Sequence, residues 1–209
     1  MKRALSILAV AILAFSLSAA ADSVTLTGVG GANSGGVYVV PYFLSINGGP
    51  NLQVMCDDYL HEVYIGQSWS GHISNYSDLS ATRNGEAARQ EYLELAWLFQ
   101  QWMGDNSQAG DINFAAWAIF TPSVTSAAGY TAGAAAWKAS AEAQDLSNFN
   151  ASGFYIVTPD DLGDKGPQEY LGYNPDQHHN NDVPEPASMF MLGTGLLGLA
   201  GGLRKRFTN

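Results

Sequence analysis

Apolar residues are distributed along this chain in three rhythms. Near the start of the central region, Val24, Leu26 and Val29 lie among threonines and glycines. Residues 37–46, 52–56, 61–65 and 67–73 are then β-branched or aromatic runs punctuated by Gly35-Gly36, Asn47-Gly48-Gly49 and Gly66. Short runs of that kind between turn residues predict four or five antiparallel strands. Pro41 inside the second run has no N–H to give a ladder, which suggests an edge strand or a bulge. Further on the spacing becomes helical: Tyr92, Leu95, Ala96, Phe99, Trp102 and Met103 share one face, with Asn84 as candidate cap and Glu86 in the first turn. A second helix is predicted over 112–120, capped by Asp111 and ended near Pro122, and an alanine-rich third over 132–146, anchored by Trp137. Residues 154–157 read as a closing strand. From Gly172 to Asp182 the chain is polar and unpatterned, the composition of a disordered linker.

The expected fold is therefore α+β, an antiparallel sheet or small sandwich with a cluster of about three helices, over residues 22–171, followed by a linker over 172–182. No internal repeat of the length typical of solenoids or propellers is present.

Two further apolar runs lie outside that pattern. Lys2 and Arg3 precede an apolar stretch that ends in Ser18-Ala19-Ala20-Ala21, the charge, grease and small-residue order of a cleavable signal peptide over 1–21. At the other end, Met189 to Leu203 holds no charge; with Ala187 and Ser188 it reaches about 17 residues, the lower limit for a transmembrane helix. Its glycines are better tolerated in lipid than in water. Arg204, Lys205 and Arg206 follow as a membrane stop kept on the cytoplasmic side. Ahead of the run stands Val183-Pro184-Glu185-Pro186, where each proline fixes its own φ and biases its predecessor towards extended backbone. Extended backbone is the form in which proteases and transpeptidases commonly bind peptides.

Proline-locked peptide, hydrophobic span and basic tail, in that order over 183–209, resemble the PEP-CTERM sorting signal of Gram-negative bacteria. The resemblance implies a protein exported by its signal peptide and anchored transiently in the inner membrane. It further implies processing by an exosortase-type membrane protease or transpeptidase, a final place at the cell surface or outside it, and a link to exopolysaccharide and biofilm.

Charge sharpens the picture of the body. Between residues 22 and 182 four cations, Arg83, Arg89, Lys138 and Lys165, face eighteen of the nineteen acids. Such a surface repels nucleic acid and anionic lipid, so nucleic-acid binding is excluded. Cys56 is the only cysteine, so the domain has no internal disulfide and rests on its apolar core.

The chemistry of Cys56 is open at this level. Val54-Met55-Cys56-Asp57-Asp58-Tyr59, together with Asp111-Ile112-Asn113-Phe114-Ala115-Ala116-Trp117, resembles the thioester domains of bacterial surface adhesins. In that family a cysteine before an aspartate pairs with a glutamine ahead of a helical stretch to form an internal thioester. Here Asn113, one methylene shorter, stands at the glutamine position. The alternatives are a buried, inert thiol, an adhesin-like reactive thiol, or a cysteine hydrolase using His61 or His72 as base. No hydrolase motif accompanies the histidines, and the expectation is a protein without enzymatic activity.

No cofactor is expected. His178 and His179 with Asp176 and Asp182 offer metal ligands on a segment without a scaffold, and residues 160–166 lack the ligand spacing of a calcium loop. No metal site is assigned. The tryptophans at 97, 102, 117 and 137 fall on predicted helices and belong to the core; Trp69, between Ser68 and Ser70, is the candidate exposed platform for a polysaccharide.

Overall fold

A computed structural model describes residues 21–175 of the chain. Residues 1–20, which hold nearly all of the expected signal peptide, and residues from 176 onward, which include the sorting peptide, the hydrophobic run and Arg204, Lys205 and Arg206, lie outside the described residues. Among the described residues no helix is long and apolar enough to cross a membrane.

Six strands close into an antiparallel barrel in the order β1-β4-β5-β8-β7-β6. They are β1 (Asp22–Val29), β4 (Tyr42–Ile46), β5 (Leu52–Cys56), β6 (Ser68–Asn75), β7 (Phe154–Pro159) and β8 (Tyr170–Tyr173). A separate two-stranded ribbon pairs β2 (Asn33–Ser34) with β3 (Val37–Tyr38). Three helices fill the sequence between β6 and β7: α1 (Arg89–Gly104), α2 (Ala109–Phe120) and α3 (Ala132–Glu142). Helix α1 packs on β8 and α2 on β5. The α+β expectation holds, and the sheet takes a closed form where an open sheet or sandwich was expected. Closure leaves no free edge in the barrel.

Alternation decides what faces inward. In β1 Val24 and Leu26 are buried while Ser23 and Thr25 are more exposed. In β5 the last three residues, Val54, Met55 and Cys56, are all fully buried, because one face lines the barrel and the other lies under α2. Tyr42, Trp69 and Tyr170 come from three strands that are not neighbours of one another. Tyr42 meets Tyr170 edge-on at 5.6 Å and Trp69 stacks on Tyr170 at 6.3 Å, so the rings meet across the lumen. A barrel of so few strands has room for side chains and little else. Trp69 is thus half-buried and already stacked, and the platform expected there is spent on packing.

Three elements depart from the sequence expectations. Pro41, preceded by a cis peptide bond, separates β3 from β4, so the run 37–46 is two strands. Residues 61–65 form an irregular loop with Tyr64 and Ile65 exposed, although their composition predicts a strand. Gly172 and Tyr173, expected at the start of the linker, belong to β8, where Gly172 lies opposite both Val54 and Tyr155. The helices match in position and differ at their ends. A 3-10 turn, Glu86–Ala88, precedes α1, and Asn84 does not cap it. Helix α2 begins at Ala109, which puts Asp111 inside the first turn, where its carboxylate accepts from the Thr131 hydroxyl at 2.6 Å. Thr131 in turn caps α3 by accepting from the Gly133 and Ala134 N–H groups.

Candidate functional site

The end of β5 delivers Cys56, Asp57 and Asp58 consecutively into the interior, at 0%, 2% and 7% exposure. Asn113, on the buried face of α2 and itself 0% exposed, meets this strand end. Its Nδ2 donates to the Cys56 carbonyl at 2.9 Å, and its Oδ1 accepts from the Val40 N–H at 2.7 Å. The structure therefore brings together the two residues that the sequence pairs. One carboxamide satisfies two backbone groups, one at the end of β5 and one in the link between β3 and β4, each of which would otherwise be stranded away from water. The Cys56 thiol donates to the Asp58 carbonyl at 3.2 Å. Burial pushes that thiol well above its ordinary pKa, and the acidic side chains of Asp58 and Asp57 add to the rise. A thiol so placed is a poor thiolate and a poor nucleophile. Neither histidine hydrogen-bonds it: His61 Nδ1 bonds Asp58 Oδ1 at 2.8 Å, and His72 bonds Asp160 and the Ala81 carbonyl.

Asp58 is a hub. Oδ1 accepts from His61 and from the Leu60 N–H, while Oδ2 pairs with Arg83 Nε at 3.0 Å. Arg83 reaches further, donating to the Leu162 and Pro167 carbonyls, and its own N–H donates to Glu169 Oε2 at 2.8 Å. Glu169 is 1% exposed and also accepts from the Tyr92 hydroxyl and the Thr158 hydroxyl, each at 2.6 Å. The neighbouring Asp57 carboxyl is buried beside Glu169. Desolvation, then the nearby Glu169 and Asp58 charges, raise its pKa well above the usual carboxylate range, which favours the protonated acid there. The sequence reading missed this network. Its signal was available in Asp57-Asp58 directly after an apolar strand, in a body with only four cations.

Above the hub, where β5 gives way to the 57–67 loop, a cleft of about 620 Å³ opens at the barrel mouth. Tyr38, Tyr42, Tyr59, Tyr64 and Trp117 supply its aromatic surfaces, and His61, Glu62 and Gln168 its polar ones. Volume and lining are those of a small-molecule site. Among the described residues no cluster of three or more His, Cys, Asp or Glu side chains could hold a metal ion. His178 and His179 lie outside the described residues.

Comparison with known proteins bears on the other end of the chain. Residues 182–206 match the family model of the PEP-CTERM protein-sorting motif. The chain carries a PEP-CTERM sorting motif. The match spans the Val183-Pro184-Glu185-Pro186 peptide, the apolar run and Arg204, Lys205 and Arg206. A PEP-CTERM motif supports an exported protein that is transiently anchored in the membrane and handed to an exosortase. No curated protein and no solved structure matches the chain.

Proposed function

We propose that this protein is a non-enzymatic cell-surface or extracellular-matrix component. A signal peptide exports it, its C-terminal hydrophobic run parks it in the inner membrane, and an exosortase-type enzyme cuts near Val183-Pro184-Glu185-Pro186, with a role tied to exopolysaccharide and biofilm. The observation that carries the reading is the PEP-CTERM match over 182–206. The acidic body, with four cations against eighteen acids, suits a soluble domain outside the cell. Burial of Cys56 at 0% exposure, with no histidine at its sulfur, supports a role other than catalysis. The test is cell fractionation with and without the processing enzyme, alongside a Pro184→Ala/Pro186→Ala variant. A shortened, surface or released product is expected only when enzyme and motif are both intact. The same size and location in every strain would overturn the proposal.

A second reading, an adhesin-like module with a thioester between Cys56 and Asn113, draws on the meeting of these two residues at the β5–α2 contact. Forming that bond joins sulfur to the carboxamide carbon and expels ammonia. An intact mass lower than the sequence by one ammonia supports it, and a mass equal to the sequence excludes it.

A further inference from the structure

The cleft at the barrel mouth is lined by residues outside the sorting motif at 182–206, and its chemistry narrows what can enter. Its rings are held before any ligand arrives. Tyr59 is braced by Trp117 at 5.2 Å and Phe114 at 6.2 Å. The Tyr42 hydroxyl donates to the Tyr38 carbonyl at 2.6 Å. Tyr64, 69% exposed at the rim, donates its hydroxyl to Glu62 Oε2 at 3.1 Å and its N–H to Gln67 Oε1. A wall ordered in advance reduces the entropic cost of binding.

Charge and hydrogen-bond capacity then discriminate among ligands. Glu62 lines the cleft and no lysine or arginine does. Elsewhere in the described domain Arg83, Arg89 and Lys138 are paired with Asp58, Glu86 and Glu142. An anion would meet a carboxylate in an acidic body without a compensating cation. A sugar would bring many hydroxyls to a lining in which Gln168, the Tyr42 hydroxyl and His61 Nδ1 are already engaged. Gln168 donates to the Asp58 carbonyl and accepts from the Tyr170 hydroxyl, and His61 Nδ1 is taken by Asp58. Hydroxyls buried without partners are costly. A primary ammonium brings three N–H donors that each need an acceptor on leaving water. A cation without N–H groups escapes that penalty and gains from aromatic faces and a nearby carboxylate.

We propose that the cleft walled by Tyr38, Tyr42, Tyr59, Tyr64 and Trp117, with Glu62 as counter-charge, binds a quaternary ammonium group on a small stem.

The test uses the full chain in phosphatidylglycerol nanodiscs, which contain no quaternary ammonium, and calorimetric titration with choline and its neutral carbon isostere 3,3-dimethylbutan-1-ol. Choline should bind about tenfold or more tightly than the isostere. Tyr64→Ala and Tyr59→Leu should each weaken choline by about tenfold, and Glu62→Gln by severalfold in low salt. Since Tyr64 is mostly exposed, the melting profile of Tyr64→Ala should match the parent, so its loss of binding is not a loss of fold. Absence of choline binding overturns the proposal. So does equal affinity for the isostere, which marks an apolar slot, or tighter binding of a neutral oligosaccharide such as maltohexaose, which marks a sugar groove. Choline binding unchanged by Glu62→Gln and Tyr64→Ala places the cation elsewhere and likewise overturns it.

Discussion

Asn113 should be among the most costly polar side chains to remove from this protein. Truncation to alanine leaves the Val40 N–H and the Cys56 carbonyl without the partners they now have at 2.7 and 2.9 Å. The site is 0% exposed, so water cannot replace the carboxamide without opening the β5–α2 contact. Each of the two orphaned backbone groups costs about 1–3 kcal/mol, and the deleted volume adds to that, giving about 3–7 kcal/mol for Asn113→Ala. That is a large share of the roughly 5–15 kcal/mol that holds a domain folded. Asn113→Leu restores most of the volume and none of the hydrogen bonds, so it should recover only the cavity part of the loss. Urea unfolding followed by tryptophan fluorescence measures both, since Trp102 and Trp117 are buried in the core. If Asn113→Leu proves as stable as the parent, the carboxamide is not bridging the β3–β4 link and the end of β5.

Three further outcomes follow from the same interior. Asp57→Asn tests the buried acid: its raised native pKa means the folded state keeps a proton that the unfolded chain releases above the ordinary value of 3.8. Parent stability should therefore fall as pH rises from that value towards the native pKa, by about 1.4 kcal/mol per pH unit. The asparagine variant should lack this slope, and a parent-to-variant difference that stays constant from about pH 4 to pH 7 contradicts the assignment. Cys56 should resist iodoacetamide and disulfide reagents in the folded protein and react once urea unfolds it. Labelling of the native state at the rate of a free thiol rules out the burial described. Gly172→Ala would drive a methyl into the ring of Tyr155, which is only 2% exposed, and should cost about 1–3 kcal/mol by thermal melting. Gly104→Ala, at a helix end with open space around it, is the control and should be near neutral.

Period was legible in the sequence, and closure was not. The three helices follow from apolar residues at helical spacing, and β5 from an apolar run that ends at Cys56. The loop at 61–65 defeated the same reasoning, because Val63, Tyr64 and Ile65 have strand composition but serve the wall of a cleft. Composition cannot distinguish a ring that pairs in a sheet from one that faces a ligand-sized space. Tyr170-Leu171-Gly172-Tyr173 was hidden for a different reason. Its glycine is there to admit the Tyr155 ring opposite, and without knowledge of that partner the segment looks like the start of a polar tail. The hydrogen bond from Asn113 to the Cys56 carbonyl was not legible, because no spacing rule links positions 57 residues apart. Arg83, the centre of the buried network, carried a weak compositional signal, since a cation is conspicuous where acids outnumber cations so heavily.

That scarcity of cations explains how a domain without a disulfide is tied together. Arg83 joins three separate parts of the chain. Its guanidinium reaches Asp58 after β5 and the Leu162 and Pro167 carbonyls before β8, while its own N–H holds Glu169. A disulfide would link two of these points and would form only in an oxidising compartment. The guanidinium links more of them in any redox state, because five N–H donors in a rigid fork can serve several acceptors at once. The desolvation of Arg83 and Asp58 is offset by hydrogen bonds to backbone carbonyls as well as by their mutual attraction, the condition under which a buried pair is not a net loss. The cleft stands on this arrangement: His61 and Gln168 in its lining both bond to Asp58, which Arg83 holds in place. One cation inside an acidic protein thus fixes the barrel mouth and the geometry of the space that opens from it.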